Sequence, residues 1–239
     1  MTTARVAVLG SFVQDLAFLV DDFPQPGATR IGRFFTGPGG KGSNQAVASH
    51  RQGVETIFIG AVGEDLFAHG YKDWVAIEGL QTSLETLSDY PTGAASIVVN
   101  ARAENAIVVA LGANEHLTPA HTLQSLNSLA NPSILLLQAE SSLESAEAAL
   151  EWAKGRQVFS IFNPAPINPD ISPQLLGLAD CVTPNETEFA YLLERFSGQT
   201  YSDDCTKLSD DSVREICDLL PVSTIILTLG GAGSLLYQR

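Results

Sequence analysis

Closely spaced glycines and one lysine lead into a predicted helix in the stretch "FFTGPGGKGSNQA" at residues 34–46. Glycines let the backbone approach a ligand closely, and the free amide groups at a helix N-terminus attract anions and polar groups. Lys41 adds a positive charge, and Asn44 adds an amide on the first predicted turn. This set suits hydroxyl groups or a developing negative charge. A glycine-rich turn with a solvated lysine is the simpler alternative.

Two familiar phosphate-binding patterns do not fit this stretch. A Walker A loop has the form G-x-x-x-x-G-K-[ST], but Phe35 occupies the first glycine position and Gly42 replaces the hydroxyl residue. A dinucleotide-binding turn has the form G-x-G-x-x-G after a buried strand, whereas the order here is G-P-G-G-K-G after the less apolar "RIGRFF". The stretch is therefore predicted to bind a polar ligand in another way.

Two carboxylates follow apolar runs and could contact the same ligand. Asp15 comes shortly after "RVAVLG", and Glu140 comes shortly after "SILLLQ". Asp15 could instead be an exposed strand residue. Glu140 precedes a predicted helix, where the helix dipole alone favours a carboxylate.

The segment "VTPNETEF" predicts a helix start with Thr183 as N-cap, Pro184 at the first position and Glu186 at the third. Asn185 and Glu188 are then unexplained by capping, and they lie three residues apart on one side of the helix. A carboxylate and an amide in that arrangement could order Mg²⁺ through its bound waters. A helix start without any ligand is the alternative.

Short apolar runs are spaced along the chain as strands of a buried sheet would be. They are "RVAVLG", "TIFIGAVG", "SILLLQ", "QVFSIF", "DCVT" and "STIILTLG". Such runs are typical of parallel strands covered on both faces. Amphipathic stretches such as "LESAEAALEWAK" lie between them, and Ser141 with Glu144 predicts a capping box at the start of this one. The alternation predicts an α/β fold with a doubly wound, mainly parallel sheet flanked by helices.

Two segments depart from this alternation of strands and helices and are predicted to form a small β-sheet lid. They are residues from about 12–37, around a turn at Pro26–Gly27, and residues from about 93–111, which form a predicted hairpin. No linker or repeat divides the chain, so one domain over residues 1–239 is expected. Ligands of open α/β sheets bind beyond the carboxyl ends of the strands, so the polar residues that follow the strands are the expected site.

The composition limits the partners. Apolar residues make up 45% of the 239 residues and charged residues 17%, which is enough for a sizeable core. The formal net charge of -14 argues against nucleic acid or an anionic membrane, because those partners need a basic surface. Cys181, Cys205 and Cys217 are too few and too irregular for a disulfide framework, so reduced thiols are expected. Without a signal peptide or a membrane-length apolar segment, the chain is expected to be soluble and cytoplasmic.

Together the motifs resemble those of the ribokinase family of carbohydrate kinases, which is of the phosphofructokinase-B type. The likeness runs in order along essentially the whole chain through "VAVLGSFVQD", "GPGGKGSNQA", "PTGAASIVVN", "LLLQAESSLES", "NPAP", "TPNETE" and "TLGGAGS". The resemblance implies a ribokinase-like α/β domain with a β lid, and a homodimer that packs lid to lid. It also implies a sugar kinase that uses ATP with Mg²⁺.

The resemblance implies a role for each candidate residue. Asp15 and Glu140 would accept hydrogen bonds from sugar hydroxyls. The floor of the sugar site would be formed by Gly40, Lys41, Gly42 and Asn44. The nucleotide would be lined by Asn185, Thr228, Gly230 and Gly233. Glu188 would hold Mg²⁺ through water.

Two departures from the family pattern stand out. The family's ribose kinases have an asparagine two residues before the sugar-binding aspartate, where this chain has Val13. The family's catalytic base is the aspartate of a Gly-Ala-Gly-Asp motif, but "GGAGS" has Ser234 instead and belongs to an earlier turn. The base and any monovalent-cation site are therefore expected beyond Arg239, in a C-terminal part that this sequence lacks. No residue of the chain is assigned as catalytic.

The leading expectation is transfer of the γ-phosphate of ATP to a primary hydroxyl of ribose or a related sugar, which would convert D-ribose to ribose 5-phosphate. A nucleoside or fructose-type kinase of the same family is the alternative among enzymes, and Val13 favours it. A truncated, non-catalytic sugar-binding protein is the alternative outside enzymes.

Overall fold

The computed structural model describes residues 5–129, 132–198, 200 and 210–239, and in these residues strands alternate with helices. The strands are β1 (Arg5–Leu9), β2 (Val13–Leu19), β3 (Arg33–Gly39), β4 (Glu55–Val62), β5 (Gln81–Thr86), β6 (Gly93–Val99), β7 (Asn105–Ala110), β8 (Ile134–Gln138), β9 (Phe159–Asn163), β10 (Cys181–Val182), β11 (Thr224–Thr228) and β12 (Ser234–Gln238). The α-helices are α1 (Lys41–Arg51), α2 (Leu66–Glu78), α3 (Pro119–Ser128), α4 (Leu143–Arg156), α5 (Pro173–Leu176), α6 (Glu186–Ser197) and α7 (Asp210–Cys217).

Eight strands form the main sheet in the order β12-β11-β10-β9-β8-β1-β4-β5. All neighbours pair in parallel except β11 and β12, which are antiparallel. Val6 and Val8 of β1 belong to the buried cluster that includes residues of α1 and α2. Ala7 and Leu9 belong to the cluster on the other face, with residues of α3, α4, α6 and α7. This alternation places helices on both faces, and the predicted α/β fold with a mainly parallel sheet is confirmed.

Helix α6 begins two residues later than the sequence predicted. Pro184 is still in extended pairing, because its carbonyl accepts a hydrogen bond from Thr228 N–H at 3.0 Å. Asn185 is the N-cap: its side chain accepts from Glu188 N–H at 2.8 Å, and the Glu188 carboxylate accepts from Asn185 N–H at 2.9 Å. The prediction of Thr183 as N-cap was wrong. The capping box is formed by the two residues that the sequence had left unexplained.

Helix α4 begins one residue later than predicted. Ser142 N–H donates to Asn114 O at 3.0 Å, and this bond holds Ser142 outside the helical conformation at φ −52° and ψ 121°. The Ser142 hydroxyl then caps the helix by accepting from Ser145 N–H at 3.2 Å. The predicted capping box of Ser141 and Glu144 was therefore wrong.

A second, four-stranded sheet has the order β3-β2-β6-β7 and is called the small sheet below. Its strands β2 and β6 pair in parallel, and β3 and β7 pair antiparallel on either side. Its strands fall largely within the two segments, about 12–37 and 93–111, that were predicted to form a small β-sheet. That this sheet acts as a lid stays a prediction.

Two further predictions concerned the cysteines and membrane-length segments. Cys181 and Cys217 are buried, whereas Cys205 lies outside the described residues. Within the described ranges, no helix has the length and apolar character needed to cross a membrane.

Candidate functional site

Glu140 follows β8 at the carboxyl edge of the main sheet and is only 7% exposed. Its Oε2 atom accepts from the Ser11 hydroxyl at 2.5 Å and from Lys41 N–H at 2.8 Å. Ser11 follows β1, the strand next to β8, and Lys41 is the first residue of α1. The carboxylate therefore satisfies one of the free amides at the N-terminus of α1, whose N-cap Gly40 makes no side-chain hydrogen bond. Both of these bonds are to Oε2, which leaves Oε1 to accept from a ligand.

Asp15 lies on β2 of the small sheet, directly against the last residue of β3. A Cβ atom on Gly39 would come within 2.3 Å of Asp15 Oδ2, so only glycine leaves room for this carboxylate. Burial raises the pKa of the Asp15 carboxyl above its ordinary value, and the negative charge of Glu140 raises it further. Asp15 therefore lies beside Gly39 and Glu140 beside Lys41, so the residues that contact the two carboxylates are only two positions apart at the start of α1.

Gly40, the N-cap of α1, and Gly42, in its first turn, pack directly on the chain between β1 and β2. Gly40 has φ +89°, and a Cβ there would lie 2.7 Å from Ser11 O. A Cβ on Gly42 would lie 2.6 Å from Ser11 N. Ser43 N–H donates to Ser11 O at 2.9 Å. Gly40 thus needs glycine for its backbone conformation, and both glycines are needed for the close approach of the helix start to the sheet.

The remaining predicted sugar-side residues are more open. Lys41 is half-buried at the start of α1, and Asn44 is exposed on the first turn of the same helix. The structure thus brings all six predicted sugar-side residues to one edge of the main sheet, where the small sheet begins. Those residues are Asp15, Gly40, Lys41, Gly42, Asn44 and Glu140.

The predicted nucleotide-side residues form a separate group around the carboxyl ends of β10 and β11. Asn185 and Thr228 are joined by an isolated parallel bridge, so the start of α6 lies beside the end of β11. Gly230 and Gly233 have φ of +53° and +96° and form the turn between β11 and β12. Leu229 N–H closes that turn by donating to Gly233 O at 2.8 Å. Strand β9 separates this group from the sugar-side strands.

Glu188, the predicted Mg²⁺ residue, is 8% exposed, and its Oε2 is engaged by Asn185 N–H. Its second carboxylate oxygen is outside the capping box. Among the described residues, no group of three or more acidic, histidine or cysteine side chains could hold a metal ion directly. One carboxylate beside an amide fits an ion that keeps most of its water, as Mg²⁺ does.

Three polar residues at the site are fully buried: Ser11, which the sequence placed at the expected edge without a specific role, and Asn114 and Gln138, which were not assigned to the site. Gln138 Nε2 donates to Gln45 Oε1 at 2.6 Å, and within the described residues its Oε1 has no hydrogen-bond partner. Ser11 had a sequence signal, because it follows a buried strand. Asn114 lies in the 3-10 turn Gly112–His116, for which the sequence pattern gave no indication.

Comparison with known proteins agrees with this geometry. The family model described as pfkB family carbohydrate kinase matches residues 3–239. The chain belongs to this family. A ribokinase of Haemophilus influenzae is 37% identical over 236 residues, which cover 98% of this chain and 74% of that relative.

Solved structures agree as well. A ribokinase structure from Giardia lamblia superposes with a TM-score of 0.85 at 31% identity and covers 100% of this chain and 72% of that one. A structure of Arabidopsis thaliana ribokinase complexed with ribose and ATP has a TM-score of 0.79 at 26% identity, covering 100% of this chain and 76% of that one. The ribokinase-like fold expected from the motifs is confirmed.

Proposed function

We propose that the chain serves an ATP-dependent sugar kinase that transfers the γ-phosphate of ATP to the primary hydroxyl of ribose, giving ribose 5-phosphate. The observation that carries this proposal is the pair of carboxylates at the start of α1: Asp15 of β2 lies against Gly39, and Glu140, which follows β8, accepts from Lys41 N–H. Membership of a carbohydrate kinase family supports it, as does the likeness to ribokinases, one of them complexed with ribose and ATP.

In this proposal the sugar lies between the two sheets. Asp15 accepts hydrogen bonds from two neighbouring hydroxyls, and the free Oε1 of Glu140 accepts from another. Bonds from hydroxyls to a carboxylate are about twice as strong as bonds between neutral groups. Lys41 and Asn44 contact the sugar from the first turn of α1, while Gly40 and Gly42 let the backbone approach it. These residues bind and orient the acceptor, and none is assigned the removal of its proton.

The nucleotide lies on the other side of β9. Asn185 and the turn with Gly230 and Gly233 present an amide and backbone N–H groups to the phosphates, and Thr228 lies beside them. Glu188 holds the hydration shell of Mg²⁺, which supplies positive charge to the triphosphate. A net charge of -14 makes such local positive groups and the metal ion more important.

We further propose that the small sheet is a lid over the sugar and the interface of a homodimer. Its two faces expose large apolar side chains: Phe18, Phe34, Phe35, Ile107, Val108 and Val109. Apolar groups exposed over a contiguous area mark interaction surfaces. A cytoplasmic location is also proposed, on the basis of the sequence alone.

Calorimetric titration with ribose and a coupled assay of ATP consumption test the proposal. We expect ribose to bind, and the protein as its gene encodes it to consume ATP with ribose faster than with other pentoses, hexoses or nucleosides. Absence of turnover with every one of them would refute the kinase. Ribose binding without any turnover would favour the non-catalytic sugar-binding protein instead.

The second candidate is a nucleoside or fructose-type kinase, and Val13 is the observation that favours it. Val13 is 2% exposed and lies two residues before Asp15, so it faces the same side of β2. An apolar side chain there offers no hydrogen bond to a sugar hydroxyl. Preference for adenosine or fructose over ribose in the same assay would select this candidate.

A further inference from the structure

Asn114 is fully buried, and its side chain makes three hydrogen bonds to backbone groups. Its Oδ1 accepts from Phe12 N–H at 3.0 Å. Its Nδ2 donates to Phe12 O at 2.8 Å and to Leu111 O at 2.8 Å. One N–H and two carbonyl partners match the acceptor and the two donors of a single amide.

These partners lie where the chain passes between the main sheet and the small sheet. Phe12 immediately precedes β2, and Leu111 immediately follows β7. Gly93 begins β6, and a Cβ there would lie 2.5 Å from Asn114 Nδ2. Gly40 lies where the chain leaves β3 of the small sheet for α1, and a Cβ there would lie 3.0 Å from Phe12 Cα. We call these four residues, Phe12, Gly40, Gly93 and Leu111, the junction; three of them surround the Asn114 side chain directly.

The backbone of Asn114 is bonded to the segment that carries the other carboxylate. Ser142 N–H donates to Asn114 O at 3.0 Å, and Ser142 lies two residues after Glu140. Phe12, held by the side chain, lies three residues before Asp15. Asn114 is therefore hydrogen-bonded both to the segment leading to Asp15 and to the segment following Glu140.

We propose that Asn114 is a positioning residue for sugar binding, because its side chain fixes the junction and so holds Asp15 at the correct distance from Glu140. This inference rests on the proposed function, in which both carboxylates bind one sugar. Asn114 acts through Phe12 and β2 and does not itself contact the sugar. Loss of one hydrogen bond to a charged group corresponds to a loss of about 10- to 100-fold in affinity.

The test measures affinities for ribose and for a non-hydrolysable ATP analogue by calorimetry. Asn114→Ala should weaken ribose binding by about 10- to 100-fold, because a displaced Asp15 loses a hydrogen bond to the sugar. The affinity for the ATP analogue should stay within about twofold, since its site is separate and distant sites act independently. Asn114→Asp keeps the volume and the acceptor for Phe12 N–H but loses both donated bonds, so it should weaken ribose binding even if the alanine variant fails to fold.

The chain offers a matched control in Asn100, at the far end of the small sheet. Asn100 is 4% exposed, and its side chain also makes three hydrogen bonds, to Arg102 N, Glu104 N and Glu104 Oε2. Asn100→Ala removes the same side-chain amide from the turn between β6 and β7 without touching the junction. It should lower the melting temperature but leave ribose affinity within about twofold of the wild type.

A double-mutant cycle with Asp15→Asn separates positioning from general destabilisation. If Asn114 acts through Asp15, then Asn114→Ala should change ribose affinity less than about twofold in the Asp15→Asn background. The same loss in both backgrounds, or equal losses from the Asn100 and Asn114 variants, would overturn the inference. Wild-type ribose affinity in both Asn114 variants would overturn it too, while leaving the proposed function intact. Absence of ribose binding by the wild-type protein would overturn both.

Discussion

The sugar side and the nucleotide side of the site are held in place in different ways. On the sugar side, Glu140 and Ser11 are buried and hydrogen-bonded to each other from positions far apart in the chain. On the nucleotide side, Asn185, Thr228 and Gly230 are exposed, and a local capping box and one isolated bridge hold them. The first region depends on buried side-chain contacts between packed elements, and the second depends on backbone geometry, through a helix cap and the pairing of the α6 start with the end of β11.

This difference indicates which kind of change each region will tolerate. A small neutral ligand is recognised through hydroxyl directions, so its site must be built before the ligand arrives. A triphosphate is a flexible polyanion that an open surface of N–H groups and a metal ion can accommodate. Changes of shape should therefore weaken sugar binding and leave nucleotide binding intact. Apart from the loss of a sugar-binding carboxylate, changes of charge should weaken mainly nucleotide binding.

The largest effect is expected at Asp15. Asp15→Asn should weaken ribose binding by about 100-fold, because charge-assisted hydrogen bonds to hydroxyls are replaced by weaker neutral ones. Binding of an ATP analogue should not change. Asp21→Asn, an equal change of charge at an exposed position beyond β2, is the control. Calorimetry showing the same ribose affinity in both variants would contradict the assignment of Asp15.

A pure change of shape should have the next largest effect. Gly39→Ala would drive a methyl group into the Asp15 carboxylate, and we expect ribose to bind roughly tenfold more weakly. Gly37→Ala is the matched control on the same strand, because no atom lies within 4 Å of a Cβ there. If the two alanine variants bind ribose equally well, the sugar side tolerates changes of shape, contrary to the comparison with the nucleotide side.

On the nucleotide side, two variants at Asn185 separate stability from charge. Asn185→Ala removes the N-cap of α6 and should lower the free energy of unfolding by about 1 kcal/mol. Asn185→Asp keeps an effective cap but places a negative charge near the phosphates, so an ATP analogue should bind roughly fivefold more weakly with little change in stability. Ribose affinity should be unchanged in both. Unaltered nucleotide affinity in the aspartate variant would remove Asn185 from the site.

The smallest effect is a shift with pH. Because the pKa of Asp15 is raised, protonation should begin to compete with ribose at a pH above the ordinary range of an aspartate, and affinity should fall on acidification. The stability of the unliganded protein should change with pH in the opposite direction to ribose affinity. The folded state binds this proton more tightly than the unfolded state, so stability relative to Asp15→Asn is greatest at low pH and falls as pH rises through the raised pKa.

Titrations and melting curves from about pH 4 to pH 8, a range that includes ordinary and raised carboxyl pKa values, would measure both trends. The Asp15→Asn variant is the control and should lack both. A ribose affinity that does not change over this range in the wild-type protein would show that the charge of Asp15 is not required.

The sequence predicted the strands of the main sheet well where they are buried on both faces. It did not indicate β5, "QTSLET", because this strand lies at the sheet edge and is largely polar. The start of α6 was predicted two residues early, since the pairing of Pro184 with Thr228 is a long-range contact that local capping rules do not include. The start of α4 was misplaced for the same reason, through the bond from Ser142 to Asn114.

The site residues were predicted in part, and the division has a physical basis. Asp15, Lys41 and Glu140 stand in motifs or after apolar runs, so their types and spacing were visible. The role of Ser11 as a donor to Glu140 depends on a contact across 129 positions of the chain. Asn114 lies outside the motifs quoted above, and the partners of its side chain are backbone atoms whose positions only the fold determines.

The small sheet has a further consequence for local unfolding. Every residue of β7 is exposed, and few side chains elsewhere in this sheet are buried, so little apolar contact opposes its separation from the rest of the protein. Its amide hydrogens should therefore exchange with solvent through partial openings that leave the main sheet intact. A ligand that bridges Asp15 and Glu140 would suppress those openings. Slower exchange in β2 and β6 would then report an occupied sugar site without any measurement of catalysis.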